Sequence, residues 1–166
     1  MAQLGRTTIG VNTWELSLKI SGLRVTMPDS AMVGVSVFAY VDDNVVGSQF
    51  RAALLHDADK QTVLALSAIR TDITTAGWYE FSGGTFAAYA PQQGQTFVIA
   101  IVSDSAEIAH IYQDNVGLDA WTASAFIISM DPLEVEPLVP ATAEDYSIYL
   151  EYRALSSDTG VKAVIQ

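Results

Sequence analysis

Between Phe50 and Phe81 the chain reads FRAALLHDADKQTVLALSAIRTDITTAGWYEF, and this stretch admits few folds. It breaks into an apolar run, an acidic turn (Asp57, Ala58, Asp59, Lys60), a second apolar run, a Thr-rich segment, and a Gly77-Trp78 step into a third run. The runs are strand-length, and the Gly, Asp and Thr residues punctuate them as they punctuate hairpins. Thr62 to Ile69 carries Leu64, Ala65, Leu66 and Ala68, a pattern a helix also tolerates. Its short length and the β-branched Thr62, Val63 and Ile69 favour a strand.

The same style continues through the chain. Leu16, Leu18 and Ile20 alternate on even numbers, then Leu23, Val25 and Met27 on odd ones. That parity switch predicts a bulge or tight bend at Ser21-Gly22. Met32 to Val41 alternates with both faces fairly apolar, as a central strand does, and Thr96 to Val102 is apolar enough for the middle of a sheet. Thr71 to Thr75 reads as a β-type segment, and Thr85 to Tyr89 as a short edge strand. Ile108 to Tyr112 and Phe126 to Met130 add two more strands. Tyr146, Ile148, Leu150 and Tyr152 alternate against Ser147, Tyr149, Glu151 and Arg153. The passage DPLEVEPLVP cannot sit inside a sheet, because Pro132, Pro137 and Pro140 lack donors.

Roughly eight to ten short strands at roughly ten-residue spacing predict an all-β chain, a two-sheet antiparallel β-sandwich. A jelly roll is its most economical form, since two four-stranded sheets bury one face each. The expected layout is an N-terminal arm over 1–13, the sandwich over 14–154 and a C-terminal tail over 155–166.

Composition narrows the chemistry. At 166 residues the chain is long enough for a single well-filled core. Cysteine is absent, which removes disulfides, Cys-based zinc sites and thiol nucleophiles. The formal net charge is −11, and the Lys and Arg residues are scattered singly. A nucleic-acid partner is therefore not expected, whereas a basic partner is compatible. No apolar run approaches the ~18 residues of a membrane helix, so no membrane role is expected. The start, MAQLGRTTIGVNTW, lacks a basic segment followed by a long apolar run, so the expectation is synthesis in a host cytoplasm without a secretion signal.

The order of the aliphatic strand Met32 to Val41, the run Ala53-Leu54-Leu55-His56-Asp57, the Leu-rich Val63 to Leu66, Thr74-Thr75-Ala76-Gly77-Trp78, and Gly94 leading into Phe97 to Asp104 resembles jelly-roll modules. These modules occur in bacteriophage virion proteins and as appended domains of bacterial surface proteins. The resemblance spans about residues 20 to 153 and implies a fold, with no catalytic residues.

Several residues are candidates for function. His56 and His110 lack a Gly-x-Ser-x-Gly elbow to serve, so no catalytic residues are expected. Asp57 and Asp59 place oxygen ligands on one turn and are the first choice for a Ca²⁺, although Asp in a turn more commonly caps local backbone. Trp78, after Gly77 at an apolar strand start, reads as core. Trp121, in the loop GLDAWTAS, is the candidate for stacking on a glycan. Leu4, Ile9 and Val11 near one end, with Val161, Val164 and Ile165 near the other, are the candidates for adding to a neighbour's sheet edge or groove. The expected function is a non-enzymatic structural protein of an assembly, a virion component such as a capsid decoration or a head or tail accessory protein. It forms a homo-oligomer within a larger particle and needs no cofactor. The alternative is a carbohydrate-binding β-sandwich module.

Overall fold

The computed structural model describes residues 1–43, 46–105, 109–114, 120–122, 129–140 and 145–155. Its strands are β1 (Ala2–Gly5), β2 (Asn12–Glu15), β3 (Ile20–Thr26), β4 (Ser36–Asp42), β5 (Phe50–His56), β6 (Val63–Leu66), β7 (Gly77–Phe81) and β8 (Thr96–Ser103). They continue with β9 (His110–Asp114), β10 (Ala120–Thr122), β11 (Ser129–Met130), β12 (Leu133–Glu134), β13 (Val139–Pro140), β14 (Asp145–Tyr146) and β15 (Ile148–Tyr152). A 3₁₀ turn covers Gly84–Ala88. The chain is all-β, and every ladder among the described strands is antiparallel.

The pairings nest. β5 pairs with β6, β4 with β7, β3 with β8 and β2 with β9. Strands β2 to β9 thus run as one long hairpin whose tip lies between β5 and β6. Two sideways pairings, β5 with β8 and β4 with β9, fold that hairpin into two sheets. The seven-stranded sheet contains β2, β9, β4 and β7, with β14, β15 and β1 added; the six-stranded one runs β13-β10-β3-β8-β5-β6. One edge of β4 holds β7. The other is divided between β15, opposite Ser36 to Ala39, and β9, opposite Val41 and Asp42.

Strand alternation decides what lies between the sheets. Val37, Ala39 and Val41 of β4 and Ile148, Leu150 and Tyr152 of β15 meet Leu54 of β5 and Phe97, Ile99 and Ile101 of β8 in one buried cluster. The other face of β8 is buried too. Val98, Ala100 and Val102, with Ile20, Ala53 and Leu55, lie beneath Met130, Leu133, Val135 and Leu138 in a second cluster. The Pro-rich passage therefore lies over the outer face of the six-stranded sheet. Each buried Val, Leu, Ile or Met side chain among them contributes roughly 1.5–3 kcal/mol. Arg51 fastens this cover by donating to the Ser67 and Met130 carbonyls, both at 2.8 Å, and Gln61 Nε2 donates to the Val135 carbonyl at 2.9 Å.

Several expectations need correction. Residues 2–5 pair with β15 of the same chain and 12–15 with β9, so the expected arm is built into the sheet. No bulge occurs at Ser21-Gly22, where β3 and β8 stay in register from Ile20 to Thr26. The parity switch arises because β3 is covered on both faces, with Ile20 under the outer cover and Leu23 and Val25 in the central core. Leu16 reaches that core from outside the strand, just before a turn at which Leu18 has φ 53°. Residues 71–75 form no strand, and the expected edge strand at Thr85 to Tyr89 is the 3₁₀ turn instead. Gly83 (φ 72°) and Gly84 (φ 54°) impose that turn by holding two successive residues in the left-handed region. Pro140 falls in β13, at the outer edge of its sheet, the position in a sheet where proline is tolerated.

Candidate binding face

The outward face of the seven-stranded sheet carries rings where a solvated face usually carries polar side chains. On β4 the residues opposite the core are Ser36, Phe38, Tyr40 and Asp42, all half-buried. Phe38 stands opposite Tyr149 of β15 and Glu80 of β7, Tyr40 opposite Trp78, and Asp42 opposite His110 of β9. Register therefore assembles one row from four strands. The Phe38 and Tyr149 rings stack at 5.0 Å and 3°. Tyr40 meets Trp78 edge-on at 5.6 Å and Tyr112 at 4.8 Å, and Trp78 meets Tyr149 at 5.3 Å. Edge-to-face and offset contacts of this kind hold rings in fixed orientations.

A polar rim surrounds the row. At one end the Asp42 carboxylate lies 2.8 Å from His110 Nδ1 and accepts from the Tyr112 hydroxyl at 3.3 Å. Ser36 Oγ donates to Glu80 Oε1 at 2.8 Å, and Gln3 Nε2 donates to Glu151 Oε2 at 3.3 Å. Glu15 stands opposite His110 and pairs with Lys19 at 3.6 Å. Burial, reinforced by the negative charges of Glu151 and Glu80, pushes the Tyr149 phenol above 10.0. Burial and Asp42 raise Tyr112 likewise. Both phenols stay protonated donors at neutral pH, and what the row offers is π-faces, hydroxyls and carboxylates.

The acidic turn is otherwise occupied. Arg24 grips Asp57 with two bonds of 2.7 and 3.0 Å, and Lys60 Nζ lies 3.1 Å from the same carboxylate. The Arg24 bond, with help from Lys60, holds Asp57 at about 2. Asp59 caps the turn, accepting from the Thr62 hydroxyl and from the backbone N–H groups of Gln61 (3.0 Å) and Thr62 (2.9 Å), and these bonds also hold it at about 2. This is the backbone-capping use of Asp in turns. Among the described residues no group of three His, Asp or Glu side chains converges as metal ligands would.

The remaining candidates separate. Leu4 packs half-buried against the core from β1, whereas Ile9 is 48% and Val11 86% exposed. Gly10 sets these two on the surface: a Cβ there would come within 2.2 Å of the Gln113 carbonyl carbon, so only glycine lets the loop lie this close to β9. Val161, Val164 and Ile165 lie outside the described residues. Trp121 belongs to strand β10, paired with β3 and β13, and not to a loop; its side chain is outside the description. His56 is exposed and accepts from the Ala58 N–H at 3.1 Å.

Trp78, expected in the core, is half-buried on the outward face. It and its four neighbouring rings form the feature that sequence reasoning missed as a site. The signal was there in the alternation of Phe38 and Tyr40 against Val37, Ala39 and Val41, and of Tyr149 against Ile148 and Leu150. A groove of about 390 Å³ beside β6, lined by Gln61, Val63, Leu133, Glu134 and Val135, offers one carboxylate and no base or nucleophile beside it. No protein-family model matches the chain, and no curated protein is similar to it.

Proposed function

We propose that this chain is a non-enzymatic structural module of a macromolecular assembly, a jelly-roll sandwich serving as a virion component and acting through protein–protein contacts. The observation that carries the reading is the nested pairing of β2 with β9, β3 with β8, β4 with β7 and β5 with β6. Four nested strand pairs divided between two sheets support the jelly-roll form. Its resemblance to virion modules then supplies the assembly role. The exposed Ile9 and Val11, on the loop that Gly10 presses against β9, are its first contact candidates. Ca²⁺ plays no part in this reading, since Asp57 and Asp59 are engaged within the fold.

Truncating the amino-terminal segment removes strand β1, so point changes test the contact better. Light scattering on the wild type and on an Ile9→Asp, Val11→Asp double variant measures the oligomeric state directly. The reading predicts a homo-oligomer that the double variant dissociates without loss of thermal stability. A state unchanged by the double variant contradicts it.

A second reading, a carbohydrate-binding module, is favoured by the ring row from Trp78 to Tyr149 rather than by Trp121. Aromatic faces flanked by carboxylates and hydroxyls suit a sugar's C–H face and its hydroxyl groups.

A further inference from the structure

We propose that the ring row on the outward face of the seven-stranded sheet docks a basic, arginine- or lysine-bearing segment of a protein partner, with Trp78, Tyr40 and Tyr149 receiving its cations. This rests on the assembly reading above and names the chemistry of the partner and the surface that takes it.

The rings carry the case for a contact. Five aromatic side chains, half-buried and locked against one another, cover the middle of the sheet's outward face. Trp and Tyr, held rigidly at the centre of a patch, are the residues that supply most binding energy at protein interfaces. A polar rim around them matches interface anatomy, and Ser36, Glu80, Gln3, Glu151, Asp42 and His110 supply that rim.

Charge selects the occupant. Among the described residues this face carries Glu15, Asp42, Glu80 and Glu151, against Lys19, which is paired with Glu15, and Arg153 just beyond β15, so carboxylates outnumber cations. His110, the basic side chain on β9, is already engaged by Asp42. Ring π-faces and carboxylates both attract cations, and a guanidinium or ammonium over a Trp face is attracted more strongly as it loses water. Glu80 and Glu151 each accept a hydrogen bond from a neighbouring side chain through one oxygen, which orients the carboxylate beside the rings. Nucleic acid and anionic lipid are repelled by such a face. A second copy presenting the same face is disfavoured here as well, because the carboxylates of the two faces would oppose one another. A basic segment of a different protein satisfies both the rings and the charge.

The test titrates the protein by calorimetry with a short peptide alternating arginine and glycine, and in parallel with neutral oligosaccharides of glucose. The peptide is expected to bind, and binding to weaken at least tenfold as salt rises from about 50 to about 500 mM. Trp78→Ala and Tyr149→Ala, each confirmed folded by circular dichroism, are expected to weaken it about tenfold. Glu80→Gln with Glu151→Gln is expected to weaken it about fivefold and to flatten the salt dependence. Glu134→Gln with Glu136→Gln, an equal charge change on the cover of the other sheet, is expected to stay within about twofold of the wild type. Wild-type affinity in Trp78→Ala overturns the proposal. So does an equal loss in the Glu134, Glu136 pair, which marks general attraction to an acidic protein. Salt-independent oligosaccharide binding that needs Trp78 overturns it in favour of a glycan. The Ile9→Asp, Val11→Asp variant is expected to bind the peptide normally, so failure of the oligomer test and failure of this one are separable.

Discussion

Phe38 and Tyr149 stand directly opposite one another on β4 and β15, their rings 5.0 Å apart and within 3° of parallel. The pair joins a strand of the wrapped hairpin to one added from the far end of the chain. It is therefore a stabilising contact as well as part of the face. Alanine at either position is expected to cost about 1–2 kcal/mol, and the double-mutant cycle to show a coupling of about 1 kcal/mol. Urea denaturation of the four proteins measures it; additive effects would mean that the rings do not touch in solution.

The cover over the six-stranded sheet should behave as core. Leu133 is 7% exposed and packs in one cluster with Met130, Val135 and Leu138 over the sheet. Leu133→Ala is expected to lower stability by about 2–4 kcal/mol. Glu136→Gln, exposed on the same passage, should change it by less than about 0.5 kcal/mol. Equal, small effects would mean that the cover is not packed on the sheet.

Asp57 makes the acid limb of stability predictable. Its carboxyl is held at about 2, below the ordinary 3.8, by Arg24 and Lys60. A lowered folded-state value means that the unfolded chain binds the proton more readily, so the contribution is complete above about 3.8 and is lost as pH falls through about 2. Asp57→Asn should therefore be less stable than the wild type by about 1–2 kcal/mol at neutral pH, and the two should converge near pH 2. A difference that persists undiminished in acid would place its origin outside the carboxylate.

Gly10 is expected to tolerate no side chain. The Cβ of Gly10→Ala would press on the Gln113 backbone at 2.2–2.6 Å, at the join of β2 and β9. The strand or the loop must move, at a cost of about 1–3 kcal/mol. Thermal melting detects it, and Gly47→Ala serves as a contrast, since its Cβ meets nothing within 4 Å and only its φ of 92° opposes the change.

The strands that were legible are those whose alternation matches burial. Tyr146, Ile148, Leu150 and Tyr152 fall on the core side, and the apolar β8 lies centrally, covered on both faces. Strand β1 was illegible because AQLG has no alternation and its partner lies at Tyr149 to Tyr152. Two-sided burial of β3 imitated a bulge, and consecutive left-handed glycines turned an apparent strand at Thr85 to Tyr89 into a 3₁₀ turn. The outward ring row was visible as alternation. Its composition was not, because only the cross-strand register brings Trp78 to Tyr40 and Tyr149 to Phe38.

The binding character of that face depends on Trp78 lying outward in an acidic surrounding. A protein whose sole tryptophan is Trp78, made by Trp14→Phe and Trp121→Phe, allows its fluorescence to be quenched by caesium and by iodide in turn. The account predicts that caesium, drawn to Asp42, Glu80 and Glu151, quenches Trp78 several-fold more efficiently than iodide relative to free tryptophan, and that the preference fades with added salt. Resistance to both ions, as for a core tryptophan, or equal quenching by both, would contradict it.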